Sequence, residues 1–195
     1  KHLKKWMKPS KRHVGILFQP ASAYVMYQPV GVVGIVVPWN YPLFLAVGPL
    51  AQALAAGNRV MLKMSEFTPE FSALFQKLIA SKFDVQIAQK FTQLAFDHLL
   101  FTGATAVARH VLHAAADNLT PVTLELGGKS PVIIAKDADL KESARRVAFG
   151  KTMNAGQTCV APDYTLVHRS QQDAFVKAYF EVIKAFYPDS IRNNP

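Results

Sequence analysis

The apolar run at residues 31–37, Gly-Val-Val-Gly-Ile-Val-Val, constrains the fold more than any other stretch of this chain. Its density of β-branched residues is typical of a strand buried on both faces of a parallel sheet. Helix signals follow it closely, since Pro42 can occupy a first helical turn and Gly57-Asn58 can end the same helix. The run therefore predicts an α/β fold.

Strands and helices alternate after this run. The predicted elements, in order, are helix 42–56, strand 59–63, helix 69–80 with Thr68 as its N-cap, strand 97–101, helix 106–116 and strand 122–126. Such alternation predicts a doubly wound, Rossmann-like parallel sheet, whose ligands bind at the carboxyl ends of the strands. Each candidate residue at those ends could simply make a turn or a solvated ion pair, but together they indicate one ligand edge: Asn40, Lys63, Glu66 and Gly103.

A second α/β segment begins past Glu125, and a hairpin precedes the first. The predicted elements of the second segment are strand 131–135, helix 139–151, strand 164–168 and helix 171–186, the last opened by a capping box of Ser170 and Asp173. Two short strands at 13–19 and 23–28 form the predicted hairpin at 13–28. We therefore divide the chain into domains at residues 1–125 and 126–195.

Cys159 is the only cysteine of the 195 residues, which excludes an internal disulfide and any multi-cysteine metal site. A lone cysteine is most often a buried structural thiol. Here Gly156, Gln157 and Thr158 keep bulk and charge away from it, and a following helical turn would lower the pKa of the thiol. This context favours a nucleophile.

Glu125 lies where apolar and polar positions alternate, at the end of strand 122–126. On an open sheet it would be an ordinary exposed side chain. Gly127-Gly128 directly after it provides a flexible turn, which favours a position at a cleft. The residues alone leave both readings open.

Four motifs now stand in a recognisable order along the chain. They are Val36-Val37-Pro38-Trp39-Asn40-Tyr41-Pro42, Phe101-Thr102-Gly103, Glu125-Leu126-Gly127-Gly128-Lys129-Ser130-Pro131 and Gly156-Gln157-Thr158-Cys159. Together they resemble the aldehyde dehydrogenase family, and residues 6–9 and 159–164 are most similar to its coniferyl and fatty aldehyde branch. The resemblance implies oxidation of an aldehyde, coniferyl-type or medium to long chain, to the carboxylic acid.

The resemblance also implies roles for individual residues. Cys159 would be the nucleophile, Glu125 the base that activates water, and the Asn40 amide an oxyanion donor. The residues expected to bind the cofactor are Val36, Pro38, Trp39, Lys63, Glu66, Gly103, Ala104, Val107 and Leu126. Family members usually have serine where Ala104 stands, so one hydrogen bond to the cofactor pyrophosphate is expected to be lost. Glu66 favours NAD, with NADP as the alternative.

The resemblance makes two parts of the chain look incomplete. The spacing of apolar residues predicts a helix at 85–96 directly after helix 69–80, where family members have a strand between helices. Two helices joined this way cannot keep a right-handed crossover, so we infer an internal gap near 84–85. Family members are also much longer, so the chain is interpreted as a middle fragment. The alternative is a truncated, catalytically silent homologue that binds nucleotide or a partner subunit.

The formal charge of +9 is uneven, because residues 1–65 carry eight Lys or Arg and no Asp or Glu. A basic stretch of this kind is usually a solvated face, and no nucleic-acid-binding module accompanies it. We expect no nucleic-acid partner, no metal site and no membrane span. The resemblance adds an aldehyde substrate, a homodimer paired through the hairpin, and a cytoplasmic location.

Overall fold

The computed structural model describes residues 3–83, 91 and 94–189, and the chain divides between Glu125 and Leu126. Unit 1 is Lys1–Glu125 and unit 2 is Leu126–Pro195. The elements of unit 1 are α1 (Leu3–Trp6), β1 (Ser10–Arg12), β2 (Ala23–Val25), β3 (Val32–Val36), α2 (Pro42–Ala55), β4 (Arg59–Lys63), α3 (Pro69–Ala80), β5 (His98–Thr102), α4 (Thr105–Ala116) and β6 (Val122–Glu125).

Four parallel strands form the main sheet of unit 1, in the order β4-β3-β5-β6. Alternate residues of the central strand, Val33 and Ile35, pack with Ala46 of α2 and Phe75 of α3. On the other face Gly34 leaves room for its neighbours, because a Cβ there would lie 2.8 Å from Leu99 Cδ1. Both faces of β3 are thus covered, and the predicted α/β fold with a parallel sheet is confirmed.

Side chains at the amino ends of the strands hold β3 in place. Asn58 Oδ1 accepts hydrogen bonds from the backbone N–H groups of Val30 at 2.7 Å and Gly31 at 3.1 Å. Asp97 Oδ2 accepts one from the N–H of Val32 at 2.7 Å. These bonds satisfy backbone donors at the start of the strand that the ladder leaves unpaired. Asn58 therefore has two roles. It follows Gly57 at the end of α2, and its side chain holds the start of β3.

A hairpin is present in this part of the chain, but the strand bounds predicted for it, 13–19 and 23–28, were wrong. β1 and β2 pair antiparallel, Ser10 with Val25 and Arg12 with Ala23, so the first strand ends before residue 13. Ile16–Phe18 form a 3₁₀ turn, closed by the Phe18 N–H on the Gly15 carbonyl at 2.9 Å. These three side chains are 68–91% exposed, so no buried face favours extending the strand through them.

The suspected gap at 84–85 and most of the predicted helix 85–96 lie outside the described residues. Leu94-Ala95-Phe96, at the end of that stretch, are described and are not helical. The buried ring of Phe96 lies next to Gly34, and β5 begins two residues later, at His98. Thr68 does precede α3, but its hydroxyl donates to the Ser65 carbonyl at 3.4 Å instead of capping the helix.

Unit 2 contains β7 (Ser130–Ile134), α5 (Leu140–Thr152), β8 (Pro162–Val167) and α6 (Gln172–Phe186). β7 and β8 run parallel, and Ile134 packs with Val147 of α5 and Phe175 of α6. Pairing shifts register at the start, since Ser130 faces Pro162 while the next residue, Pro131, faces Tyr164. Asp163 is the extra residue of a bulge.

The two helices of unit 2 begin in different ways. Asp139 caps α5, its carboxylate accepting the N–H groups of Lys141 at 2.9 Å and Glu142 at 3.0 Å. The predicted capping box at Ser170 was wrong, because α6 begins later, after a 3₁₀ turn at Arg169–Gln171. The Ser170 hydroxyl lies 2.8 Å from His168 Nδ1, so it is engaged away from the helix.

The core assignment predicts a large difference between two leucines of unit 1. Leu99 on β5 is 1% exposed, so Leu99→Ala should lower the free energy of unfolding by about 2–5 kcal/mol. Leu74→Ala, on α3 where the side chain is 65% exposed, should change it by less than about 0.5 kcal/mol. Urea unfolding followed by tryptophan fluorescence reports on unit 1 alone, since both tryptophans lie there. Equal losses in the two variants would contradict the assignment.

Candidate active site

The carboxyl ends of the four strands of unit 1 meet at one edge of the sheet. Val36 pairs with both Lys63 and Phe101, and Thr102 pairs with Glu125. Hydrogen bonds continue the ladder past the strand ends, from the Val37 N–H to the Lys63 carbonyl at 2.9 Å and from the Gly103 N–H to the Glu125 carbonyl at 3.0 Å. This edge therefore brings together most of the predicted cofactor residues and Glu125.

Strand order changes direction at the centre of this edge. β4 follows β3 on one side of it, whereas β5 lies on the other side. Loops leaving adjacent strands in opposite directions open a crevice, which is where ligands of such sheets bind. The segment Pro38-Trp39-Asn40 follows β3, and Gly103 follows β5; a Cβ on Gly103 would lie 2.6 Å from the Phe101 ring. Trp39 is 45% exposed.

The first turn of α4 opens at the same edge. Ala104 occupies the N-cap position with an extended ψ of 142° and has no side-chain oxygen to offer the helix. Backbone N–H groups of a first helical turn need acceptors, and together with the helix dipole they suit an anion. Val107, in that turn, is half exposed.

Lys63 and Glu66 form an ion pair at the end of β4, with Lys63 Nζ 3.0 Å from Glu66 Oε2. The same ammonium donates to the Met64 carbonyl at 3.3 Å. The backbone N–H of Glu66 itself, and then Lys63, lower the pKa of the Glu66 carboxyl. Buried Ser65 holds the turn, accepting the Phe67 N–H on its hydroxyl at 3.2 Å. The turn thus presents one cation and one anion side by side.

Cys159 lies in a loop of unit 2 and is exposed. Exposure excludes the buried structural thiol that a lone cysteine usually is. The predicted helical turn after it was wrong: the Ala161 N–H closes a tight turn on the Thr158 carbonyl at 3.0 Å, and β8 begins at Pro162. Proline at the strand start leaves no N–H for a helix to continue.

A run of left-handed backbone precedes the cysteine. The φ angles are 51° at Asn154, 54° at Ala155 and 75° at Gly156. Such angles suit glycine and are tolerated by asparagine, but they are strained for alanine, and strain of this kind concentrates at functional sites. Both the backbone N–H and the side-chain amide of Gln157 donate to the Asn154 carbonyl at 3.0 Å. Sequence reasoning missed Asn154 and Ala155, although asparagine close to glycine is a turn signal.

The Gly127-Gly128 loop runs beside the cysteine loop within unit 2. A Cβ on Gly128 would collide with the carbonyl oxygen of Cys159. Lys129 Nζ lies 3.3 Å from Asp163 Oδ1, joining the two loops on their exposed side. Leu126, half-buried, is the first residue of this unit. Of the predicted site residues, unit 2 holds Leu126 and Cys159, and unit 1 holds the others.

Two further features bear on what the chain can bind. Among residues 3–83, 91 and 94–189 there is no cluster of three or more His, Cys, Asp or Glu side chains suited to a metal ion. Within the same described part, every helix is too short or too polar to cross a membrane.

The fold and these loops define an α/β protein with a ligand edge on a parallel sheet and an exposed cysteine in a small-residue loop. The chain belongs to the aldehyde dehydrogenase family, whose family model matches residues 3–190. The resemblance drawn from the four motifs is thereby confirmed.

Individual relatives agree with this assignment. A Pseudomonas aeruginosa protein described as probable coniferyl aldehyde dehydrogenase is 58% identical over 205 residues, covering 100% of this chain and 43% of its own length. The substrate-bound structure of Staphylococcus aureus AldH is 40% identical with a TM-score of 0.86, covering 98% of this chain and 44% of that one. The Mycobacterium tuberculosis aldehyde dehydrogenase complexed with NAD+ is 36% identical with a TM-score of 0.76, covering 91% and 38%. This chain thus spans less than half the length of these relatives.

The ion pair with Lys63 should have a measurable effect on the titration of the Glu66 carboxyl. The pKa of Glu66 should lie below its ordinary value of 4.5, and Lys63→Met should raise it only part of the way, because the backbone N–H remains. Since the folded pKa is lowered, the pair stabilises the protein at neutral pH, and this contribution is lost as the pH falls through the folded pKa. Carbon-13 NMR of the Glu66 carboxyl carbon, recorded as a function of pH, measures this pKa. Lys77→Met, a distant lysine on α3, is the control and should leave the titration of Glu66 unchanged.

Proposed function

We propose that this chain carries the cofactor edge and the nucleophile of an NAD-dependent dehydrogenase that oxidises an aldehyde to the carboxylic acid. The observation that carries the proposal is the exposed Cys159, held in a small-residue loop against Gly128, in a member of the aldehyde dehydrogenase family. The relative described as a probable coniferyl aldehyde dehydrogenase supports an aromatic, coniferyl-type aldehyde as substrate.

In the proposed mechanism the Cys159 thiolate attacks the aldehyde carbonyl carbon and forms a thiohemiacetal. The Asn40 side-chain amide and the Cys159 backbone N–H donate to the developing oxyanion, where fixed donors contribute most. Loss of hydride from the former carbonyl carbon leaves a thioester on the cysteine. Covalent capture thus divides one difficult oxidation into two easier steps.

Glu125 is the proposed general base of the second step. Its carboxylate removes a proton from water, the water oxygen attacks the thioester, and the acid leaves as the Cys159 thiolate is restored. Glu125 ends β6, where its carbonyl accepts the Gly103 N–H, so the backbone that carries the base is fixed to the cofactor edge.

The carboxyl edge of unit 1 fits a dinucleotide. Lys63 and Glu66 would hold the adenosine ribose hydroxyls, Val36, Pro38 and Trp39 would line the groove, and the α4 first turn beside Gly103, Ala104 and Val107 would face the pyrophosphate. When bound, NAD supplies the hydride acceptor. Support for this fit comes from the Ala104 N-cap, which offers α4 no side-chain acceptor, and from the Lys63–Glu66 pair at the end of β4. The Glu66 carboxylate would repel a 2′-phosphate, which favours NAD over NADP.

Unit 1 is accordingly the proposed cofactor-binding domain, and unit 2 the first part of the catalytic domain. A second copy of the chain is the proposed partner of the β1–β2 hairpin. The exposed side chains of Ile16, Leu17 and Phe18 between its strands give it apolar surface to bury.

An assay with coniferyl aldehyde tests the proposed activity. The purified protein should produce NADH from the aldehyde and NAD, seen at 340 nm, more efficiently than it produces NADPH from NADP. Hexanal and decanal, offered in parallel, test the preference for an aromatic substrate. Binding of NAD without turnover of any of these aldehydes would instead favour the silent nucleotide-binding homologue.

Replacement of the nucleophile should separate binding from chemistry. Cys159→Ala removes the only thiol, so turnover should fall to background, while NAD should still quench the fluorescence of Trp39 with unchanged affinity. Cys159→Ser should be equally inactive, because serine cannot supply the thiolate that attacks the aldehyde. Residual turnover in either variant would overturn the proposed mechanism.

Replacement of the base should slow the second step specifically. We expect Glu125→Gln to lower kcat by about 10²–10⁴-fold, while a first-turnover burst of NADH persists in rapid-mixing experiments. Glu142→Gln on α5 is the matched control, since that exposed carboxylate pairs with Arg145 and Arg146 and has no proposed catalytic role. Equal kcat values for the two variants would exclude Glu125 as the base.

A further inference from the structure

We infer that Gly128 is a positioning residue for the Cys159 nucleophile, an inference that rests on the proposed function. A Cβ at position 128 would overlap the carbonyl oxygen of Cys159, at a separation that real Cβ atoms do not show. The obstructing atom is backbone, so no flexible side chain can swing aside. The absence of a side chain at 128 therefore sets how closely the cysteine peptide approaches the loop that follows Glu125.

Contacts that follow Gly128 and Cys159 along the chain hold the two loops together. Two residues after Gly128 and three after Cys159, Ser130 and Pro162 face each other as β7 and β8 begin. Lys129 and Asp163 form an ion pair between the same segments at 3.3 Å. A larger residue at 128 would therefore displace the Cys159 peptide locally instead of moving the whole loop.

The left-handed run at Asn154–Gly156 limits movement from the other direction. It reverses the chain just before the cysteine, and a Cβ on Gly156 would lie only 3.1 Å from the Lys151 carbonyl. The Cys159 peptide thus lies beside Gly128 and follows a segment of left-handed backbone. Displacement of its peptide would shift both the thiol and the backbone N–H proposed to bind the oxyanion, and reacting groups tolerate little misplacement.

The adjacent glycine provides a matched control. A Cβ on Gly127 would meet no atom of the described residues within 4 Å. Neither Gly127 nor Gly128 has a φ in the left-handed region, so alanine strains the backbone at neither position. Gly127→Ala and Gly128→Ala change the chain flexibility equally, and only the second meets the cysteine carbonyl.

Steady-state kinetics of the two variants test the inference. We expect kcat of Gly128→Ala to fall by about 100-fold while that of Gly127→Ala stays within about threefold of the parent. The KM for NAD should change little in both variants, because neither glycine belongs to the proposed cofactor site. A merely unfolded fraction would lower the concentration of active enzyme and leave the remaining Gly128→Ala enzyme normal. Titration of tryptophan fluorescence with NAD counts the folded enzyme independently of the cysteine and corrects kcat for that fraction. Equal kcat values per active site would overturn the inference.

NMR of the unsubstituted chain tests the contact if Gly128→Ala does not fold. Iodoacetamide alkylates Cys159 alone, since no other cysteine is present. The Gly128 amide resonance should then shift more than that of Gly127, and the resonance of Gly48, a glycine of α2 in unit 1, should not move. A Gly128 resonance that stays in place would overturn the inference.

These outcomes separate the inference from the proposed function. If the Cys159→Ala variant still turns over, Cys159 is not the nucleophile and the proposed mechanism fails, whatever the result for Gly128→Ala. Full activity of Gly128→Ala, together with no activity of Cys159→Ala, leaves the mechanism in place and removes only the positioning role.

Discussion

Parallel pairing of β3 with strands on both sides is the constraint on which unit 1 depends. Each strand must be covered on two faces, which explains the apolar run at 31–37, the small Gly34 against Leu99, and helices that carry Ala46 and Phe75 into the core. Parallel pairing also puts every carboxyl end at one edge. Lys63, Gly103 and Glu125, far apart in sequence, are brought to that edge by the backbone hydrogen bonds of the sheet.

Elements with a strong periodic pattern and clear stop signals could be predicted from the sequence. β4 and α3 match their predicted ranges, and their starts are marked by Gly57-Asn58 before β4 and by Pro69 at the first position of α3. The hairpin was misplaced since Ile16–Phe18 look like a strand but have nothing to pack on. Ser170 satisfied the capping pattern, yet its hydroxyl faces His168, a competition between two local hydrogen bonds that spacing alone does not reveal.

The sequence names candidate site residues, whereas the backbone conformation around Cys159 could not be predicted from it. The motifs identified Cys159, Glu125 and Asn40 as candidates, and Cys159 is exposed. The expected helix after the cysteine is absent, so no helix dipole acts on the sulfur from that side. The close approach of Gly128 depends on two segments about 30 residues apart, a distance in sequence over which local patterns carry no information.

The bulge at Asp163 makes the segment between the cysteine and the core intolerant of changes in length. Side chains of β8 alternate, with Val167 packed in the core of unit 2 and Leu166 half exposed. Deleting or inserting one residue between Cys159 and Tyr164 would remove or enlarge this bulge, or would reverse which side chains of β8 face inward. Natural sequence variation here is therefore expected as substitutions of constant length.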